Sequence, residues 1–139
     1  MPAARRAVVV LVGVLALAAC SNSSTVAAKR PRTGTGTATA ASNGVQVVTV
    51  TTGNDYRFHP STIVVHSGRV RIVLHNTAKP GQGAPHDLVV TGLPGQPGTG
   101  LASAGQTLDW EFVAPAPGKY RFVCTIHVEQ GQTGTLIVR

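Results

Sequence analysis

The sequence predicts an all-β fold, a Greek-key β-sandwich of about seven or eight strands that begins at Val45 and ends at Arg139. Three observations predict it. Apolar and polar residues alternate in short runs, clusters of Gly and Pro separate these runs, and no window has helical periodicity. Many short strands in a segment of this length are typical of two packed sheets.

The first strands are marked by β-branched residues between turn residues. Residues 45–52 are rich in Val and Thr and predict the first strand, and the turn at residues 54–55 follows it. Residues 56–58 precede Pro60, and residues 63–66 alternate before the Ser-Gly turn at residues 67–68. In residues 70–76 every second position is apolar, which predicts a half-buried strand.

The second half of the domain contains loops rich in Gly and Pro. One of them, residues 79–85, ends at His86, and residues 92–105 predict a long irregular loop. Between them, residues 86–90 predict a strand, and residues 108–112 predict another. The last two strands flank a short loop, and alternation places Cys124 and Gln132 on the apolar faces of these strands.

The first twenty residues have the pattern of an export signal. Arg5 and Arg6 form a basic start, and the apolar run at residues 7–16 is too short to span a membrane comfortably. The small residues before Cys20 resemble a bacterial lipobox, which implies a signal peptide at residues 1–19 and acylation of the Cys20 thiol. The alternative is an ordinary secretory signal with an incidental cysteine.

Residues 20–44 comprise the cysteine that we expect to be lipidated and a segment rich in Ser, Thr, Ala and Gly, which predicts a flexible tether.

The chain carries a net charge of +7, but most of this charge precedes the domain. From Val45 onward there are seven basic and five acidic residues, so the domain itself is close to neutral. A basic cluster, Lys29, Arg30 and Arg32, would lie next to anionic lipid headgroups. Because no basic stripe with interleaved aromatic residues is present, we do not expect nucleic-acid binding. We expect a monomer at the outer face of a bacterial cytoplasmic membrane.

The short loop near the C-terminus predicts a metal site. If Cys20 carries lipid, Cys124 has no partner for a disulfide, and an unpaired thiol in an exported protein requires a reason. His127 lies three residues further on. A thiolate with two imidazoles and a weak axial ligand forms a copper electron-transfer site, so a second histidine is needed.

Position along the strands selects that histidine. His66 and His75 lie opposite the apolar faces of their strands, and His59 precedes a proline at a turn. His86 shares its predicted face with the apolar residues that follow it. We therefore predict that His86 completes the site.

These residues resemble the cupredoxins, the small blue copper proteins that include plastocyanin, amicyanin and stellacyanin, and the resemblance covers the whole domain. The upstream part of the pattern is Phe58-x-Pro60-x-x-Ile63-x-Val65-x-x-Gly68, then a strand to Asn76, then Pro85-His86. The downstream part is Cys124-x-x-His127-x-x-x-Gly131-Gln132-x-Gly134. The resemblance implies one copper ion, held by His86, Cys124 and His127.

The axial position departs from the common pattern. Most of these proteins carry a methionine where this chain has Gln132, and Met1 is its only methionine. Stellacyanin-like members use glutamine, an oxygen donor that favours Cu(II) and lowers the reduction potential. The resemblance implies Gln132 as the axial ligand, and Gln130 is the competitor.

A second departure is Asp87, where the family often has an asparagine that joins the two ligand loops. Its carboxylate could stabilise the oxidised site or be solvated. We expect Asp87 and Thr125 to lie just outside the ligands.

The sequence thus predicts a lipid-anchored, single-copper electron carrier that serves redox protein partners, with His127 on an exposed loop as the electron exit. A copper-delivery protein with the same ligands and a metal-free interaction domain are the alternatives, and zinc could occupy the same ligands. We do not expect an enzyme, because the sequence has no His-x-His pair, no second cysteine near Cys124 and no nucleophile with a paired base.

Overall fold

The structure is a computed structural model, and it describes residues 32–95 and 98–139. Nine β-strands form in these residues, and none of them is helical. The strands are β1 (Thr35–Thr37), β2 (Thr39–Ala40), β3 (Gln46–Thr52), β4 (Thr62–Val65), β5 (Arg69–Asn76), β6 (Val89–Val90), β7 (Thr107–Val113), β8 (Gly118–Val123) and β9 (Thr133–Val138). The predicted signal, Cys20 and the first part of the predicted tether lie outside the described residues.

The strands form two mixed sheets, which confirms the predicted all-β sandwich. One sheet has the order β1-β4-β9-β8-β6 and the other has the order β2-β3-β5-β7. Pairs β3–β5 and β4–β9 are parallel, whereas β5–β7 and β8–β9 are antiparallel. The part of the chain that the structure describes contains no helix long and apolar enough to cross a membrane.

The core consists of apolar side chains from both sheets. Residues of β5 alternate between buried and more exposed positions, as the sequence pattern predicts. Phe58 and Phe122 pack edge to face across the core with ring centroids 5.1 Å apart. Further fully buried members are Val50, Ile72, Leu74, Leu88 and Leu136.

The main difference from the predicted domain boundary concerns residues 35–40, which we assigned to the tether. They form β1, which is parallel to β4, and β2, which is antiparallel to β3. Composition alone could not predict this, because both strands are largely exposed and are held by backbone hydrogen bonds to neighbouring strands rather than by apolar burial. Strand β4 therefore lies between β1 and β9, and all four of its residues are buried.

Candidate metal centre

Three potential metal ligands converge at one end of the sandwich. The Nδ1 atoms of His86 and His127 are 3.1 Å apart. The Sγ atom of Cys124 is 3.4 Å from Nδ1 of His127 and 4.0 Å from Nδ1 of His86. All three side chains are buried, so a soft thiolate and two imidazoles face one another across a distance that a single ion can bridge.

The β8–β9 hairpin positions Cys124 and His127. Cys124 directly follows β8, and its backbone N–H donates to the carbonyl of Gln132 at 3.0 Å. The N–H of His127 donates to the Cys124 carbonyl at 3.3 Å, and the N–H of Gln132 donates to the His127 carbonyl at 3.2 Å. These bonds close the loop into compact turns, and the ligands therefore stand on a rigid support.

His86 is held from the other side of the site. Its backbone exchanges two hydrogen bonds with Ala102, of 3.0 and 2.7 Å. Asn76, at the end of β5, is fully buried, and its Nδ2 donates to the carbonyls of Ala84 at 2.9 Å and Ala102 at 3.0 Å. Asn76 therefore ties together the two segments that flank His86. We did not predict this role, although a polar residue on the apolar face of β5 is a signal for it.

Gln132 rather than Gln130 lies beside the cluster. Gln132 is fully buried, and its Oε1 is 3.0 Å from Nδ1 of His86, whereas Gln130 is exposed. The Nε2 of Gln132 donates to Oγ1 of Thr52 at 2.6 Å. This bond turns the amide oxygen toward the cluster. Thr52 was not predicted, and its inward position on β3 after two buried valines is the only sequence signal for it.

Asp87 joins the two ligand loops. Its Oδ1 accepts a hydrogen bond from the backbone N–H of Thr125 at 2.7 Å, and its Oδ2 accepts one from the Thr125 hydroxyl at 2.6 Å. The side chain is 6 % exposed, so the alternative of a solvated carboxylate is wrong. The carboxylate therefore makes the link between the two ligand loops that the resemblance implies for an asparagine.

Burial shifts two of the titratable ligands toward their neutral forms. It raises the pKa of the Cys124 thiol, although the backbone of Asp87 and of Ile126 donates hydrogen bonds that act in the opposite sense. Burial also lowers the pKa of His86, and the hydrogen bond that its ring nitrogen makes to Oε1 of Gln132 acts in the opposite sense. A metal would therefore meet a neutral His86 imidazole, and its binding would displace the thiol proton.

The structure corrects the prediction of an exposed His127. This residue is 9 % exposed, because the ring of Tyr56 packs on it with centroids 4.7 Å apart. The same ring lies 5.9 Å from that of His86. Tyr56 has a φ of 55°, a left-handed conformation uncommon for a large side chain, which hydrophobic alternation cannot predict.

The remaining histidines lie away from this cluster. His66 is exposed, His59 pairs with Asp55, and His75 bonds to the hydroxyl of Thr107. His86 is therefore the histidine that the fold brings to Cys124 and His127, as the parity of the strands indicated.

A two-sheet sandwich with a buried His-Cys-His cluster at one end defines a class of small metal-binding β proteins. Residues 8–138 match the cupredoxin-like domain family, so the chain belongs to the cupredoxins. In this family context, His86, Cys124 and His127 form a cluster suited to binding one copper ion.

Solved structures share this fold. Auracyanin A, a "blue" copper protein from Chloroflexus aurantiacus, is 21% identical with a TM-score of 0.60, and the match covers 69% of this chain and 100% of that one. Reduced auracyanin from Roseiflexus castenholzii is 20% identical with a TM-score of 0.58, and the match covers 67% of this chain and 96% of that one. The metal-binding domain of the Cu(I)-exporting P-type ATPase CopA of Streptococcus pneumoniae D39, with Cu(I), is 19% identical with a TM-score of 0.57, and 78% and 99% are covered.

At these identities the likeness concerns the fold alone. No curated protein matches this chain in sequence.

Proposed function

We propose that this cupredoxin is a mononuclear type 1 copper protein that carries electrons outside the cytoplasm. The observation that supports it most is the buried triangle of two imidazole nitrogens and one thiol sulfur with sides of 3.1, 3.4 and 4.0 Å. Such donors would hold copper in both the Cu(I) and the Cu(II) state. Because both ligand loops are tied down by hydrogen bonds, the donors need to move little between the two states.

The four predicted ligands have separate roles in this proposal. His86, Cys124 and His127 would hold the ion through two imidazole nitrogens and a thiolate, and Gln132 would offer its amide oxygen as a weaker fourth ligand. The bond from Gln132 to Thr52 supports this assignment, because it directs Oε1 and not Nε2 to the site. Asp87 and Thr125 lie outside the ligands and keep the two loops at a constant separation.

The proposal includes a lipid anchor at Cys20 on the extracytoplasmic face of a bacterial cell membrane. The signal-like pattern before Cys20 and the basic residues Lys29 and Arg30 after it support the anchor, whereas Arg32 is hydrogen-bonded to Thr62 of the domain. The protein would then deliver electrons as a tethered monomer to redox proteins at the same surface. We propose a carrier rather than an enzyme, since the sequence lacks the His-x-His pairs of multicopper oxidases.

The test is the addition of Cu(II) to the full-length chain in detergent, followed by visible absorption and electron paramagnetic resonance. We expect an intense thiolate-to-copper charge-transfer band and a narrow parallel hyperfine splitting, both lost in Cys124→Ser. Cys20→Ser is the matched control, because it should keep the spectrum and lose membrane attachment. A colourless protein with the weak spectrum of adventitious Cu(II) would exclude the electron-carrier proposal.

The axial assignment has its own measurement. Replacing an oxygen donor by a thioether favours Cu(I), so Gln132→Met should raise the reduction potential. Gln130→Met, on the exposed part of the same loop, is the control and should leave the potential unchanged. If the reduction potential rises in Gln130→Met and not in Gln132→Met, Gln130 is the axial ligand.

Copper delivery is the second candidate. The fold is shared with a metal-binding domain of a Cu(I)-exporting ATPase, and the deep burial of the cluster suits retention of Cu(I). Tight Cu(I) binding and transfer of the ion to an acceptor, with no type 1 spectrum after oxidation, would favour this function over electron transfer.

A further inference from the structure

A groove of about 500 Å³ lies beside residues 124–132, the loop between β8 and β9 that carries Cys124 and His127 and is called the metal-binding loop below. The lining of the groove is strongly basic. Four cationic side chains line it, namely Arg32, Arg57, Lys119 and Arg121. No Asp or Glu is among the described residues that line it. Gly131, near the end of the metal-binding loop, and Thr133, the first residue of β9, also contribute to the wall, so the groove is next to the candidate copper site.

These four cations have no acidic partners in the part of the chain that the structure describes. The contrast is with the other sheet, where Arg69 and Arg71 form ion pairs with Glu111 on β7. The acids of the domain are therefore largely used elsewhere, and the groove keeps its positive charge. Unpaired charges that share one concave surface attract ions of opposite sign more strongly than dispersed charges do.

The register of the sheet explains why the charges are together. Lys119 and Arg121 are two residues apart on β8, so they lie on the same exposed face, opposite the face that carries Phe122 into the core. Arg121 is paired in register with Thr135 on β9. On the far side, Arg32 reaches across to the hydroxyl of Thr62, to which its Nε donates at 3.0 Å.

The chemistry of the lining selects carboxylates. Guanidinium groups bind carboxylates through paired N–H donors, and the hydroxyls of Thr133 and Thr135 can donate additional hydrogen bonds. We propose that this groove is the docking site for an acidic, carboxylate-rich surface of the protein with which this chain exchanges electrons.

The position of the groove fits this partner. Arg57 directly follows Tyr56, whose ring covers His127, and Gly131 lies between His127 and Gln132 in the loop. A protein held in the groove would therefore lie next to the loop that carries the buried copper ligands. The choice of a redox partner rests on the proposed function, whereas the binding of carboxylates does not.

The first test is the binding of a hexaglutamate peptide to the full-length chain in its metal-free form, followed by backbone amide shifts in NMR. We expect shifts confined to the groove, above all at Arg121, Thr133 and Thr135, and weaker binding as salt is added. A hexaglutamine peptide of the same length should cause no shifts. Absence of binding by hexaglutamate would overturn the proposal.

Charge-neutralising variants locate the binding. Arg57→Gln and Arg121→Gln should each weaken hexaglutamate binding by about two- to fivefold. Lys79→Gln is the matched control, because Lys79 is an exposed cation that has no described ion pair and does not line the groove. An equal loss in the control would show a nonspecific charge effect and overturn the docking site.

Inorganic pyrophosphate separates a protein surface from a small ligand. If it binds at the same amides more tightly than hexaglutamate, the groove is a site for a small phosphorylated molecule and the partner-docking proposal is wrong. Weaker binding of pyrophosphate supports the extended carboxylate surface.

The second test uses the copper-loaded, reduced protein and two oxidants of opposite charge. Ferricyanide accepts one electron from Cu(I) to give Cu(II) and ferrocyanide, and tris(phenanthroline)cobalt(III) accepts one to give the cobalt(II) complex. We expect Arg57→Gln and Arg121→Gln to slow only the reaction with ferricyanide, with Lys79→Gln unchanged. Peptide binding without electron transfer would support the docking groove and reject the proposed electron-carrier function. Electron transfer without peptide binding would support the electron-carrier function and reject the docking groove.

Discussion

At the scale of single residues, the candidate copper site depends on side chains that orient other side chains. Thr52 orients the amide of Gln132, Asn76 ties the segments around His86, and Asp87 connects its loop to Thr125. Each of these three is buried, and its hydrogen bonds are made largely out of contact with solvent. Their removal should therefore affect the geometry of the site before it affects the fold.

Thr52→Val tests the orientation of Gln132. The variant leaves the buried Nε2 of Gln132 without its acceptor, which should lower the free energy of unfolding by about 1–3 kcal/mol. The copper-loaded variant should also give a mixed or shifted paramagnetic resonance spectrum, because the amide is free to rotate. Thr52→Ser keeps the hydroxyl and should retain the parent spectrum; an unchanged spectrum in Thr52→Val would reject the orienting role.

Tyr56→Ala tests the cover over His127. The ring shields an imidazole that is 9 % exposed, so its removal should make copper loss to a chelator several-fold faster. Tyr56→Phe keeps the ring and is the control. The measurement is the decay of the charge-transfer band after chelator is added. Equal decay in Tyr56→Ala and the parent protein would mean that copper leaves by another side.

At the scale of elements, the β8–β9 hairpin links the core to the site. Phe122 on β8 is opposite Gly134 on β9, and a Cβ atom at Gly134 would come within 2.1 Å of Cζ of Phe122. The same Cβ would approach the Ser61 carbonyl to 2.7 Å. The glycine is therefore required by close approach, and the hairpin that presents Cys124 and Gln132 depends on it.

Gly134→Ala should destabilise the metal-free domain by about 1–3 kcal/mol, because Phe122 is fully buried and cannot move without disturbing the core. Gly118→Ala is the matched control on β8, since its nearest contact would be an ordinary one of 3.5 Å to Tyr120. Urea denaturation of both variants measures the difference. A smaller loss in Gly134→Ala than in Gly118→Ala would contradict the steric argument.

At the scale of the whole molecule, charge is divided between the two sheets. The four-stranded sheet pairs its acids with arginines across β5 and β7, whereas the basic groove beside the five-stranded sheet keeps its cations unpaired. Exposed ion pairs contribute little to stability, so this division matters mainly for the field that an approaching partner meets.

Acid titration tests the pairing. The hydrogen bonds from Arg69 and then Arg71 lower the pKa of Glu111 below its ordinary value. The stabilisation they give is present above the unfolded-state pKa and is lost as the pH falls through the lower folded-state pKa. Glu111→Gln should therefore be only slightly less stable than the parent near neutral pH, and its stability should fall less steeply as the pH is lowered. Glu129→Gln removes an equal charge from an exposed loop and is the control. Parallel pH curves for the parent and Glu111→Gln, measured by thermal unfolding, would contradict this.

Much of the architecture was predictable because it rests on local alternation. The strands around Val50, Ile72 and Phe122 follow from period-two patterns that the structure confirms. Strands β1 and β2 were not predictable, since their pairing depends on neighbours distant in sequence and buries little apolar surface. For the site, spacing and strand parity were enough to select Cys124, His127 and His86 as candidates, whereas Gln132 was implied by the resemblance to the cupredoxins.

The sequence by itself determined the fold class, the basic character of the chain and three candidate ligands, because periodicity, composition and spacing indicate these properties. The resemblance to the cupredoxins added Gln132 as the fourth candidate. Only the tertiary structure decided that Tyr56 covers His127, that Thr52 orients Gln132 and that four unpaired cations share one groove. Each of these depends on contacts between segments that are far apart in the chain. A local sequence pattern cannot predict the direction of a side chain in a turn or which charged residues the folded sheets bring close together.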